Sequence, residues 1–133
     1  MKLIKWSQEY SVNHDELDRQ HKELIEIINE VYIAIKEEKE YIPITLERLM
    51  KDAKFHFKYE EGLMDKAGYP LTDTHKKQHK KFTYDLLSFI DDFLTKSNIE
   101  SKDLLNFFEV WLVYHILESD IEFTSFLNKQ LVK

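Results

Sequence analysis

The sequence predicts an all-α protein, an antiparallel up-down-up-down four-helix bundle with an N-terminal arm. Three observations predict it. Glycine and proline occur only twice each in 133 residues, so little interrupts long helices. Apolar residues recur in steps of three and four along four stretches, the spacing of one helical face. The polar segments between those stretches are short, which sets successive helices side by side and opposite in direction. No strand-like alternation, fixed-period repeat or low-complexity stretch remains, so residues 1–133 read as one domain.

Residues 1–13 lack periodicity and form the arm, with Trp6, Tyr10 and Val12 as its anchors. Asn13 or Asp15 is expected to cap the first helix, about 15–38. Its seam is Leu17, His21, Leu24, Ile28, Val31 and Ile35. A polar link, Lys36 to Tyr41, leads to a second helix over about 44–66, with Pro43 suited to its first turn. Leu46, Leu49, Ala53, His56, Glu60 and Leu63 make the seam there, and Gly68 and Pro70 end the helix. Thr72 or Asp73 opens the third helix, about 72–95, whose seam is His75, His79, Phe82, Leu86, Phe89 and Phe93. After the link Lys96 to Glu100, Ser101 or Lys102 begins the fourth helix, about 102–130. Leu105, Phe108, Leu112 and His115 fit its seam, and then the phase slips. Ser119 should come next, yet the carboxylate is Asp120, and Phe123 and Leu127 follow its phase. Either a one-residue π-bulge absorbs the slip, or the helix is regular and its two polar groups reach the core from different sides.

Composition excludes several classes. With no cysteine, disulfides, thiolate ligands and thiol chemistry are absent. A net charge of −6 disfavours nonspecific nucleic-acid and anionic-membrane binding. Lys76, Lys77, Lys80 and Lys81 read as a solvated helix face. No apolar run approaches the ~20 residues of a membrane span, and the first residues do not resemble a signal peptide. A cytoplasmic location is the expectation.

Five of the six histidines and two carboxylates lie with the apolar stripes: His21, His56, Glu60, His75, His79, His115 and Asp120. Buried charge or imidazole is costly unless paired or metal-bound. A lone histidine on a seam is commonly a satisfied core residue, but seven such groups point to a metal centre. Residues four apart share a face, so His56 with Glu60, and His75 with His79, each address one point. One ion cannot use seven ligands of this kind, and two can. Two octahedral ions offer about twelve positions. Five imidazoles, two bridging carboxylates and one bridging oxide or hydroxide leave a single vacancy, which suits capture of a small diatomic molecule. His14 fits no ligand position and reads as a surface residue. Glu61 faces about 100° away from Glu60 and reads as a surface group or a partner of a ligand.

The stretches Leu17-Asp18-Arg19-Gln20-His21, His56-Phe57-Lys58-Tyr59-Glu60-Glu61, His75-x3-His79 followed by Phe82, and Trp111-Leu112-x2-His115-Ile116-x3-Asp120 resemble the hemerythrin family. Trp6, Tyr10-Ser11-Val12 and Gly68-Tyr69-Pro70 extend the likeness, in particular to small single-domain bacteriohemerythrins. The resemblance implies two iron ions with a bridging oxide or hydroxide. The residues themselves would also suit manganese or zinc. By the resemblance, His75, His79 and His115 hold one saturated iron, and His21 and His56 hold the other, with a position open. Glu60 and Asp120 bridge them. Dioxygen is the implied ligand of the open position, with azide or nitric oxide as alternatives, and Leu112, Ile116, Trp111 and Phe57 line the oxygen pocket. The expected activity is reversible oxygen binding rather than catalysis. An oxygen or iron sensor module, or a di-iron oxidase or peroxidase-type enzyme, is the alternative. Glu-x-x-His pairs, the mark of ferritin-like di-iron enzymes, are replaced here by His-x3-Glu and His-x3-His.

Overall fold

The structure, a computed structural model, describes residues 4–37, 42–95 and 101–131. It is all-helical, with no strand among the described residues. A short 3-10 turn at Gln8–Tyr10 precedes α1 (Asp15–Lys36), α2 (Ile42–Ala67) and α3 (Thr72–Thr95). The last rod consists of α4 (Ser101–Leu112), a π-helical stretch (Val113–Asp120) and α5 (Ile121–Leu131). α1 packs on α2 and on α4, and α2 packs on α3. No helix among the described residues is long and apolar enough to cross a membrane.

The arm is fastened by side chains that its own sequence does not announce. Asp18, on the first turn of α1, accepts from Val12 N at 2.8 Å and from Ser11 Oγ at 2.6 Å. Asn29 accepts from Ile4 N at 3.0 Å and donates to Ile4 O at 2.7 Å. Asn128 adds a bond from α5 to Asn13 O. These bonds satisfy backbone groups that would otherwise be stranded as Ile4 and Val12 bury their side chains.

Helix ends show where sequence signals and structure differ. The expected caps Asn13 and Asp15 do not cap α1. His14 does, its Nδ1 accepting from Leu17 N at 3.2 Å. Asn13 instead takes a left-handed turn, φ 57°, which asparagine tolerates better than most residues. His14 is therefore a capping residue rather than a bystander. α2 closes as expected at Gly68, whose φ of 65° suits glycine. Tyr69 N donates back to Met64 O at 3.2 Å, a Schellman closure. It carries Tyr69 into the core against Phe123 and Phe126. Thr72 and Asp73, expected to cap α3, are instead its first two residues, and the Thr72 hydroxyl donates back to Tyr69 O.

The core follows the seams, with exceptions. Leu17, Leu24, Ile28, Leu46, Leu49, Leu86, Phe108 and Leu112 are buried. On α2, Met64 is fully buried, whereas Leu63 is only half-buried. Phe82, Phe89 and Phe93 of α3 are half-buried and pack against the core. The Leu105 side chain, most of the first polar link and all of the second lie outside the described residues.

The π-helical stretch resolves the phase slip. In a π-helix residues five apart stack, and His115 and Asp120 are five apart, both fully buried. One inserted residue shows as a short run of i→i+5 hydrogen bonds, so this 8-residue stretch is the bulge that the phase slip called for.

Replacing Asp18 with alanine strands the Val12 N–H beneath the arm. The expected loss is about 1–3 kcal/mol, read from urea unfolding. An unchanged midpoint would show that the arm does not depend on this bond.

Candidate metal centre

Each rod contributes to one buried cluster: His21 from α1, His56 and Glu60 from α2, His75 and His79 from α3, His115 and Asp120 from the π-helical stretch. All seven are at most 3% exposed, and Glu60 and Asp120 are wholly buried. Aliphatic residues one turn away in sequence, Leu17 and Leu24 beside His21 and Ala53 before His56 and Phe57, are buried with them. The cluster therefore lies within the buried core.

Asp120 is central. Its Oδ2 lies 2.8 Å from His21 Nε2, 3.1 Å from His115 Nε2 and 3.3 Å from His56 Nε2. Its Oδ1 lies 3.2 Å from His75 Nε2. Glu60 Oε1 lies 2.9 Å from His75 Nε2 and 3.1 Å from His79 Nε2. The imidazole nitrogens also face one another: His56 Nε2 is 2.8 Å from His115 Nε2 and 3.2 Å from His21 Nε2. Two overlapping sets bring their ligand atoms within 4.8 Å of one another. One is His21, His56, His115 and Asp120, and the other is His75, His79, His115 and Asp120. His115 and Asp120 belong to both, and Glu60 reaches the second through His75 and His79.

Sequence reasoning missed Gln20 and left Glu61 as either a surface group or a partner of a ligand; both orient rings of the cluster. His56 Nδ1 lies 2.8 Å from Gln20 Oε1, and Gln20 Nε2 donates to Glu16 Oε2 at 3.0 Å. A carboxylate only accepts, so the amide nitrogen faces Glu16 and the amide oxygen faces His56. His56 is thereby a donor at Nδ1. Glu61 does the same for His79, accepting from its Nδ1 at 2.7 Å. The tautomers that follow leave Nε2 of both rings bare toward the cluster, as metal-binding imidazoles require. Gln20 precedes His21 in the chain, and a buried amide there has no signature in periodicity. Glu61 follows Glu60, and its rotation off the Glu60 face is what lets it meet α3.

The charges need a cation. Burial and the nearby Asp120 push the Glu60 carboxyl up, but the close imidazoles of His75, His79 and His56 outweigh them and hold it below its usual value. Burial raises Asp120 too, and His115, His21 and His56 outweigh this and hold it well below. Burial alone would lower His75, yet Asp120 and Glu60 raise it to about 9. Both acids are thus held as anions in a core where each costs several kcal/mol in desolvation. The short contacts do not settle that cost. Glu60 Oε1 and Oε2, Asp120 Oδ1, and the Nε2 atoms of His75 and His79 have neighbours at bonding distance but no directed hydrogen bond. Lone pairs that converge on shared points, rather than on one another's protons, fit bound cations. Imidazole and carboxylate donors suit first-row transition metals.

Aromatic rings enclose the cluster. Phe57 stacks on His79 with centroids 4.1 Å apart, and Trp111 lies nearly parallel to His115 at 5.9 Å. Phe82 places an edge on His115 at 5.8 Å. Leu112 is 1% exposed, one turn before His115. The Ile116 side chain lies outside the described residues.

Residues 12–126 match the family model of the hemerythrin HHE cation binding domain. The chain belongs to the hemerythrin family. A bacteriohemerythrin of Clostridium acetobutylicum is 32% identical over 127 residues, covering 91% of this chain and 98% of that relative. A hemerythrin-like protein of Naegleria gruberi is 30% identical over 122 residues, covering 92% of each. The crystal structure of a hemerythrin point mutant superposes with a TM-score of 0.84 at 26% identity, over 96% of this chain and 98% of the other. The hemerythrin membership agrees with the all-helical fold and with a cluster able to hold metal.

Cations that bind the folded chain alone should stabilise it strongly. At about 100 times Kd the gain is about 2.7 kcal/mol, a rise of roughly 10 °C in melting temperature for a domain of this size. Thermal scans with Fe(II) and with a chelator check this. A melting point indifferent to both would remove the cluster as a cation site.

Proposed function

We propose that this hemerythrin domain binds dioxygen reversibly at a pair of iron ions held by His21, His56, Glu60, His75, His79, His115 and Asp120. The observation that carries it is that two buried four-residue sets meet at Asp120, with Glu60 against His75 and His79 beside them. In this reading His75, His79 and His115 hold one ion, and His21 and His56 hold the other. Glu60 and Asp120 bridge them, with an oxide or hydroxide between. The His21 side has one nitrogen ligand fewer and keeps the open position. The four rods run alternately up and down, and the short link Gly68–Leu71 between the packed helices α2 and α3 supports this. We take residues 1–133 as one domain.

When bound, the ion pair supplies two electrons and an exchangeable coordination site for dioxygen. The chain's residues do the rest. Gln20 and Glu61 hold the ligand rings so that Nε2 faces inward. Phe57, Trp111 and Leu112 form the apolar wall of the oxygen pocket, with Phe82 beside them. A wall of this kind excludes water and protons, which favours release of oxygen unchanged over its further reduction. The histidine-rich set, with only two carboxylates, likewise suits binding better than oxidative catalysis. Azide and nitric oxide are the small ligands expected to compete.

Oxygen titration of the reduced, iron-loaded protein tests this. A visible charge-transfer band that appears with oxygen and vanishes on its removal, at two irons per chain, is the expected result. Turnover of a co-substrate with no reversible band would assign an enzyme instead. Leu112→Ala opens the wall. It is expected to cost about 2–5 kcal/mol of stability and to hasten autoxidation. Leu112→Met, which nearly conserves volume, should leave the oxygenated form long-lived. Equal autoxidation in all three proteins would take Leu112 out of the wall.

A further inference from the structure

The two halves of the cluster are backed by different chemistry. Behind His56 stands a neutral amide, Gln20, which is 3% exposed. Behind His79 stands a carboxylate, Glu61. We propose that this difference makes the two cation sites unequal. Glu61 makes the His75/His79 site the tighter one and the one better able to carry higher positive charge. Gln20 keeps the His21/His56 site weaker and less electron-rich. The inference rests on reading the seven side chains as ligands of two cations.

An anionic acceptor on the outer N–H draws the proton away from the ring and raises the basicity of the nitrogen that faces the metal. A neutral carbonyl does this far less, since charge-assisted hydrogen bonds are roughly twice as strong as neutral ones. The amide cannot simply flip to mimic a different donor. Its nitrogen is committed to Glu16, and Glu16 is committed to Arg19, which also pairs with Glu23. The negative charge of Glu16 is therefore one residue removed from His56 and met by a guanidinium.

Glu61 is less insulated. Its side chain is 28% exposed and borders a cleft of about 430 Å³ with Lys54, Lys58 and Lys80 on its rim. Lys76, also on α3, pairs with Asp65 at 3.0 Å. Water and the rim lysines screen part of the carboxylate's charge. Loss of such outer partners costs about 10–100-fold in metal affinity, and screening places Glu61 near the lower figure.

Zn(II) titration of the metal-free full chain reads the two sites without redox chemistry. Glu61→Gln keeps a hydrogen-bond acceptor and removes the charge. It should weaken one binding step about tenfold and leave the other unchanged. Gln20→Glu, made with Glu16→Gln so that two acids do not face each other, should tighten the other step. In the iron-loaded protein, Glu61→Gln should raise the reduction potential and the Gln20→Glu pair should lower it. A purely structural role predicts no such opposition. Two ions bound with steps and potentials indifferent to these changes, or shifted in the same direction by both, would overturn this inference alone. A wild-type chain that takes up no second ion would overturn it together with the proposed function. If the Gln20→Glu pair fails to fold, the Glu61→Gln titration decides by itself.

Discussion

Two carboxylates with no exposure to water, Glu60 and Asp120, set the terms for the whole molecule. Anions in such a core are unstable without positive charge close by. The raised His75 supplies some of that charge in the metal-free chain, through contacts to Glu60 and Asp120 that lack hydrogen-bond direction. Metal cations supply it with the geometry that the donors already have. On this view the cluster weakens the fold until it is filled, and the apolar core on either side must carry that cost.

The rest of the structure serves to hold these groups in place. The Schellman turn at Gly68 carries the chain from Glu60 on α2 into α3, where His75 and His79 lie one and two turns in. The π-helical stretch brings His115 and Asp120 onto one face. Asp18 and Asn29 fasten the arm onto α1, the helix that carries His21. Candidate ligands mounted on packed helices, with the outer nitrogens of His56 and His79 held by Gln20 and Glu61, stand together without a cation to gather them.

Much of this was legible in the sequence, and for a physical reason. Polar residues that interrupt an apolar period stand out, and His21, His56, Glu60, His75, His79 and His115 do so at helical spacing. Asp120 is off-phase because the helix itself changes period, which a pattern of 3.6 residues per turn does not encode. The His14 cap and the burial of Met64 over Leu63 depend on local backbone choices and packing that periodicity averages out. Gln20 was hidden, and Glu61 was left between two readings, for another reason. Their importance lies in which partner they meet across helices, and one stretch of sequence does not carry that information.

The central claim is that seven side chains hold two cations, with one set backed by an amide and the other by a carboxylate. Anomalous diffraction from crystals of the iron-loaded protein, recorded at the iron edge, tests it most directly. The account predicts two peaks in the core, one against His21 and His56 and one against His75 and His79, with Glu60 and Asp120 touching both. A single peak, or iron bound away from Asp120, would contradict it.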